Sequence, residues 1–180
     1  MRACKTLVAE RGVPRATVAD VARKADITPG LVHYYFPSKQ ALVHALFDSL
    51  VADFGARLET VDGPEAVLRG FVDRALALGD DADPEGVRAW VWLSAEALHD
   101  EGLAERWQAQ ATVWLDQLTN AFDQVGADDA AGLAGAVLSG VLGAWQLGTV
   151  APGALVPGSA ARVQRRFLDA ILASFEATRD

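Results

Sequence analysis

A chain of 180 residues with 51% hydrophobic content has enough apolar surface for a true core shared between a small and a larger domain. Cys4 stands alone and His33, His44 and His99 are scattered without ligand spacing, which excludes a disulfide framework and a metal site and fits a reducing, cytoplasmic compartment. The formal charge is −8, yet residues 1–50 hold seven Lys or Arg against four acids, so a head of +3 precedes a body of −11. A basic head can meet phosphates while an acidic body is repelled by them. The N-terminus lacks the apolar core and small-residue cleavage site of a signal peptide.

Met1 to Arg11 reads as a first helix with Ala3, Leu7 and Val8 inward and Gly12 as its cap. The stretch from Thr17 to Lys39 then organises the chain. Thr17 caps a helix that starts at Val18, with Asp20 three residues on as the partner of a capping-box variant. Val18, Val21, Ala22 and Ala25 share one face. Asp26 follows, a residue that tolerates the left-handed backbone of a sharp turn, and Ile27 is expected to plug that turn into the core. Thr28 and Pro29 start a second short helix, Pro29 to Phe36, with Val32 and Phe36 inward. Gly30, Leu31, His33 and Tyr34 face outward, with Tyr35 to one side. An ordinary surface would carry Glu, Lys and Ala there. Gly30 lets a backbone approach DNA, and the rings can reach base edges and phosphates in a major groove about 12 Å wide. Ser38 caps the next helix, where Lys39 is unfavourable on dipole grounds unless a phosphate lies near.

From Ser38 a long helix runs to about Leu58 and leaves the head. Asp62 to Pro64 break the chain, a helix spans Pro64 to about Leu78, and Gly79 to Gly86 form a polar turn. Another helix reaches from Pro84 or Glu85 to about His99 and carries Trp90, Val91, Trp92 and Leu93, too many large apolar residues for one face. Leu103 to about Val125 is helical. Asp128 to about Gly148 is a helix, and from Ala130 to Ala161 the chain carries no charged residue. Gly132, Gly135, Gly140, Gly143 and Gly148 interrupt that helix together with Ser139 and Gln146, and no Lys or Arg flanks it on the N-terminal side, so it reads as a buried interface helix rather than a membrane span. Ala136, Gly140 and Ala144 repeat along it at four-residue intervals. Ser159 caps a last helix to about Thr178, with Val163, Phe167, Ile171 and Phe175 spaced by four. No period-two pattern appears, so the fold class is all-α.

The pieces LVAERG, TVADVARKADI, PGLVHYYF and PSKQAL, from Leu7 to Leu42, resemble the DNA-binding domain of the TetR family of bacterial transcriptional regulators. Asp26 replaces the family's usual Gly, Tyr35 replaces a frequent His, and the chain opens almost inside the first helix, past the point where the family carries a basic arm. The resemblance implies a helix-turn-helix domain over residues 1–45 and a helical regulatory and dimerisation domain over 46–180. The DNA-contacting set is then Thr17, Thr28, Pro29, Gly30, Leu31, His33, Tyr34, Tyr35 and Lys39. The last two helices of each chain would form a four-helix dimer interface using Ala136, Gly140, Ala144, Phe167 and Ile171. RAWVWLSAEALHDEGL, from Arg88 to Leu103, is similar to a segment of the choline-responsive, BetI-like branch.

The five tryptophans can each be ordinary core, but together they suggest an aromatic-walled cavity. Trp90, Trp92, Trp107, Trp114 and Trp145, with Glu96 to hold a cation, would bind a small organic effector, apolar or aromatic and compatible with positive charge. The reading is a ligand-responsive repressor that binds a palindromic operator as a homodimer and is released by that molecule. The alternative is a DNA-binding regulator whose body responds to a protein partner or to no ligand. An enzyme lacks support: there is no nucleophile–base pair, metal spacing or glycine-rich phosphate loop, and no cofactor is implied.

Overall fold

The computed structural model describes residues 1–58, 62–76, 83–154, 156 and 158–176. Among the described residues all regular structure is helical. The elements are α1 (Arg2–Arg11), α2 (Val18–Lys24), α3 (Pro29–Tyr35), α4 (Lys39–Leu58), α5 (Pro64–Ala75), α6 (Pro84–Glu96), α7 (Glu101–Gln124), α8 (Ala130–Val150) and α9 (Ser159–Glu176). The all-α expectation holds, and most helix starts fall where the caps put them. Two ends differ. α5 stops at Ala75 with Leu76 as its cap, and α6 stops at Glu96 because the chain turns at Ala97 to His99. The expected polar turn before Asp83 and the last residues of the final helix lie outside the described residues.

The chain folds into two compact units that are interleaved in sequence: Met1–Asp53 with Asp83–Gln108, and Phe54–Ala82 with Ala109–Asp180. In the first, α1 packs most extensively on α6, and α2 packs on both α1 and α3. Its core includes Leu7, Val8, Val13, Leu46, Phe47 and Leu93. Asp83 caps α6 by accepting the Gly86 amide at 2.8 Å, and its other oxygen takes the Lys5 ammonium of α1 at 2.8 Å. One carboxylate thus starts α6 and ties it to α1. At the other end of α6, Asp100 is buried at 7% exposure and accepts the Leu103 amide of α7 at 3.1 Å and the His44 Nε2 of α4 at 3.0–3.1 Å. Burial pushes the Asp100 carboxyl up. Hydrogen bonds from Gln40, the Leu103 amide and His44, together with the charge on His44, outweigh that and hold it below its ordinary value.

The second unit is built on α5, α8 and α9, with Leu68, Phe71, Phe122 and Leu168 buried. Arg69 and Asp73, one turn apart on α5, pair with Asp169 and Arg165, one turn apart on α9. The pairing is reciprocal and antiparallel, so it fixes which residues of α9 face α5. Partly exposed pairs of this kind set register more than stability. α8 has the length and hydropathy to cross a membrane. Ala134, Val137, Leu138, Val141 and Trp145 are nevertheless buried in the unit, and the Trp145 indole N–H donates to the Ala75 carbonyl of α5. A buried indole needs such an acceptor, because an unmet N–H in the core costs about 1–3 kcal/mol.

Candidate nucleic-acid interface

The head is assembled by local chemistry. The Thr17 side chain accepts the Asp20 amide at 3.1 Å and donates to the Asp20 carboxylate at 2.7 Å, so the two residues clasp each other across the first turn of α2. Asp20 also receives the guanidinium of Arg23. α2 ends in a Schellman motif. The Ile27 amide donates to the Ala22 carbonyl at 3.0 Å and the Asp26 amide to the Arg23 carbonyl at 3.3 Å, with Asp26 at φ +56°. Asp26 is the left-handed residue that the turn requires. Thr28 then caps α3 through the Leu31 amide at 3.3 Å, with Pro29 at the first helical position. Ser38 caps α4 through the Ala41 amide at 3.0 Å.

Only Val32 of α3 is buried, so this helix is anchored on one side and presented on the others. Tyr34 is 80% exposed and Tyr35 67%, their rings edge to face at 5.1 Å. Gly30, Leu31 and His33 are exposed, as are Thr17, Thr28 and Pro29, and nothing lies within 4 Å of where a Cβ on Gly30 would sit. Large rings held in water by a rigid, capped helix lose burial energy unless a partner covers them. Two expectations change. Ile27 is 41% exposed instead of plugged into the core, because the Schellman turn carries it to the rim of a cavity that it shares with Leu31, Tyr35 and Phe36. Lys39 is half-buried, and its ammonium donates to the Pro14 carbonyl at 3.0 Å, which relieves the unfavourable dipole position within the protein. Arg11 and Arg15 are exposed on the same domain, while Lys24 pairs with Glu10 at 3.4 Å. Cys4 is buried and burial pushes its thiol up to about 11, so it is no thiolate at neutral pH.

The expected effector residues divide between the units. In the first, Trp90 and Trp107 stack edge to face on each other at 5.2 Å and on Phe47 at 5.2 and 5.4 Å, while Trp92 lies against Gly12. Glu96 lines a small polar hollow with Lys39, Gln40, His99 and Asp100. In the second, Trp114 packs on Phe54 and Phe71 at 5.4 and 6.2 Å, and Trp145 is tied to Ala75. Aromatic contacts give Trp90, Trp107 and Trp114 core partners and a hydrogen bond gives Trp145 one, and periodicity alone could not tell such packing from a ligand wall.

The expected dimer residues lie on α8 and α9. Ala136 and Phe167 are exposed, and Gly140, Ala144 and Ile171 are partly so. A Cβ on Gly140 would collide with the Gln164 side chain of α9 in the same chain, so the close approach that this glycine permits is first of all within the chain. Val163, on the stripe with Phe167, is exposed on α9, and Leu147 and Val150, which sequence reasoning did not name, are exposed apolar groups on α8.

A short anchored helix with exposed rings, set by two caps and a Schellman turn, defines a helix-turn-helix DNA-binding regulator. Residues 1–46 match the family described as bacterial regulatory proteins, tetR family, and residues 64–173 match that described as BetI-type transcriptional repressor, C-terminal. The chain belongs to the TetR family of transcriptional regulators, with a BetI-type repressor body, and not to a family of enzymes. The HTH-type transcriptional regulator BetI of Stenotrophomonas maltophilia strain R551-3 is 27% identical over 177 residues, covering 94% of this chain and 89% of the relative. Its counterpart in Burkholderia ambifaria strain MC40-6 is also 27% identical, covering 92% and 88%. Among solved structures, a transcriptional regulator from Rhodococcus sp. Rha1 superposes with a TM-score of 0.85 at 22% identity, over 96% of this chain and 94% of that one. A regulator from Saccharomonospora viridis in complex with choline gives 0.73 at 20% identity, over 96% and 92%.

Proposed function

We propose that the protein is a cytoplasmic, ligand-responsive repressor that binds a near-palindromic operator as a homodimer and leaves it when a small organic molecule occupies the body. Residues 1–45 are its DNA-binding domain and 46–180 its regulatory and dimerisation domain. The observation that carries the reading is α3: one buried residue, Val32, beneath exposed Tyr34, Tyr35, His33 and Leu31. A helix held so lightly and displaying so much ring surface suits insertion into a major groove, with Gly30 against the backbone.

Dimerisation is supported by the charge-free outer face of α8 and the apolar edge of α9, where Leu147, Val150, Val163 and Phe167 are exposed together with Ala136. Paired copies would cover that surface, and a two-fold dimer presents two heads about 34–36 Å apart, or a multiple, to an operator of matching symmetry. The effector is a small apolar or aromatic molecule that tolerates positive charge. The choline held by the Saccharomonospora relative supports that class. For release, the ligand must favour one head spacing over the other by about 1–3 kcal/mol, roughly 5- to 150-fold in operator affinity.

Light scattering on the free protein, followed by operator binding with and without choline, tests the reading. A dimer whose operator affinity falls with the ligand is expected. A monomer at micromolar concentration, or a protein that ignores every palindromic site near its own gene, overturns it.

A further inference from the structure

Within the second unit an open cleft of about 490 Å³ lies between the C-terminal end of α4, the start of α5 and the late turns of α7. None of the five tryptophans lines it. Its floor is apolar, from Val67 and Phe71 of α5 and Leu118 and Ala121 of α7. Along its wall Gln117, Asn120 and Gln124 follow at three and four residues, so three amides stand on one stripe of α7. Asp62 is the one charged group among the described residues that line it. The volume is that of a small-molecule site, and the lining has the usual make-up of one, an apolar base with a few convergent polar groups.

We infer that this cleft is a ligand site for a small molecule with one apolar face and one cationic, hydrogen-bonding end. The inference rests on the effector reading above and gives it a place and a chemistry. Among the described residues that line the cleft no cation would receive a carboxylate ligand, whereas an ammonium is attracted by Asp62 and solvated by the amide carbonyls. The apolar face lies over Phe71. That ring is also packed on Phe54 at 5.4 Å and on Trp114 at 6.2 Å, so whatever displaces Phe71 reaches Phe54, a residue of α4, by direct contact. Trp114 belongs to the same cluster and reports the event optically.

The test uses the full chain, with benzylammonium as the cationic, hydrogen-bond-donating probe and benzoate as an anion of similar size. Calorimetry should show the cation binding and benzoate failing to bind. Asn120→Phe, an exposed position where the new ring fills the cleft, should weaken the cation by at least about tenfold. Asp62→Asn should weaken it by roughly three- to tenfold, more at low salt. Leu98→Ala, an exposed position on the other unit, should leave it unchanged. Equal binding to wild type and Asn120→Phe, equal affinity for benzoate, or no binding of the cation overturns the site. Operator affinity measured on the same samples separates the two claims. A protein that binds its operator but not the cation loses this site and keeps its role as a regulator. One that binds the cation through Asn120 without any change in operator affinity keeps the site and loses the effector reading.

Discussion

The Trp92 indole ring lies 3.0 Å from the point that a Cβ on Gly12 would occupy, and Gly12 itself has φ +79°. The glycine that ends α1 is therefore required twice, once by the backbone and once by a ring from α6. Gly12→Ala should cost about 1–3 kcal/mol, combining left-handed strain with overpacking. Urea unfolding measures it. Because the clash needs the ring, the same substitution made in a Trp92→Ala background should cost less, and a cycle with no coupling would deny the contact.

Asp26 fills a position that the same turn elsewhere in this chain gives to glycine. At the end of α7 the Ala127 amide bonds the Phe122 carbonyl at 3.1 Å and the Gly126 amide the Asp123 carbonyl at 3.0 Å, with Gly126 at φ +87°. The hydrogen bonds match those of the α2 turn, so the difference is the Cβ. Asp26→Gly should raise stability by up to about 1 kcal/mol, read as a higher midpoint at unchanged slope.

Asp100 joins α4 to the first turn of α7. Its carboxyl titrates below the ordinary carboxylate value in the folded state, so ionised Asp100 contributes stability above the unfolded value. That contribution is lost as pH falls through the depressed folded value. Asp100→Asn keeps the shape but removes the charge, and should destabilise the protein at neutral pH by about 1–2 kcal/mol, a cap's worth. Its penalty should shrink towards acid pH. A penalty that stays constant down to the acid transition would show that the charge does not matter.

Tyr34 and Lys39 should differ in how they fail. Tyr34→Ala should cost about 1–3 kcal/mol in operator binding and blur site preference, since a ring in the groove reads bases. Lys39→Ala should weaken all duplexes alike and flatten the salt dependence by about one unit of slope if the ammonium leaves Pro14 for a phosphate. Equally strong and equally selective footprints for Tyr34→Ala and wild type would remove α3 from the groove.

Phe167 is 44% exposed on the outer edge of α9. A carboxylate buried at a two-fold interface faces its own symmetry mate, so Phe167→Glu should shift the protein to monomer and abolish tight operator binding together. Gly140→Leu is the weaker probe, because its new side chain meets Gln164 of the same chain before it meets any partner. An unchanged sedimentation profile for Phe167→Glu would place the interface elsewhere.

The all-α class and the caps are legible in the residues alone, since Thr17, Thr28 and Ser38 each accept the amide three residues on. So are the tight turn at Asp26 and the outward face of α3. These are interactions of short range, in which the partner lies within one helical turn and spacing names it. Other features were settled by which helices pack together: the division of Trp90 and Trp107 from Trp114 and Trp145, the ring of Trp92 on Gly12, and the approach of Gly140 to Gln164. Ile27 was misplaced for the same reason, because a turn residue is buried only if some other segment covers it. Hydrophobic periodicity states that a face is buried and leaves open against what, because dispersion and apolar burial carry no direction. Only the tertiary arrangement of α4, α5 and α7 could turn Gln117, Asn120 and Gln124 from a polar helix surface into the wall of a cleft.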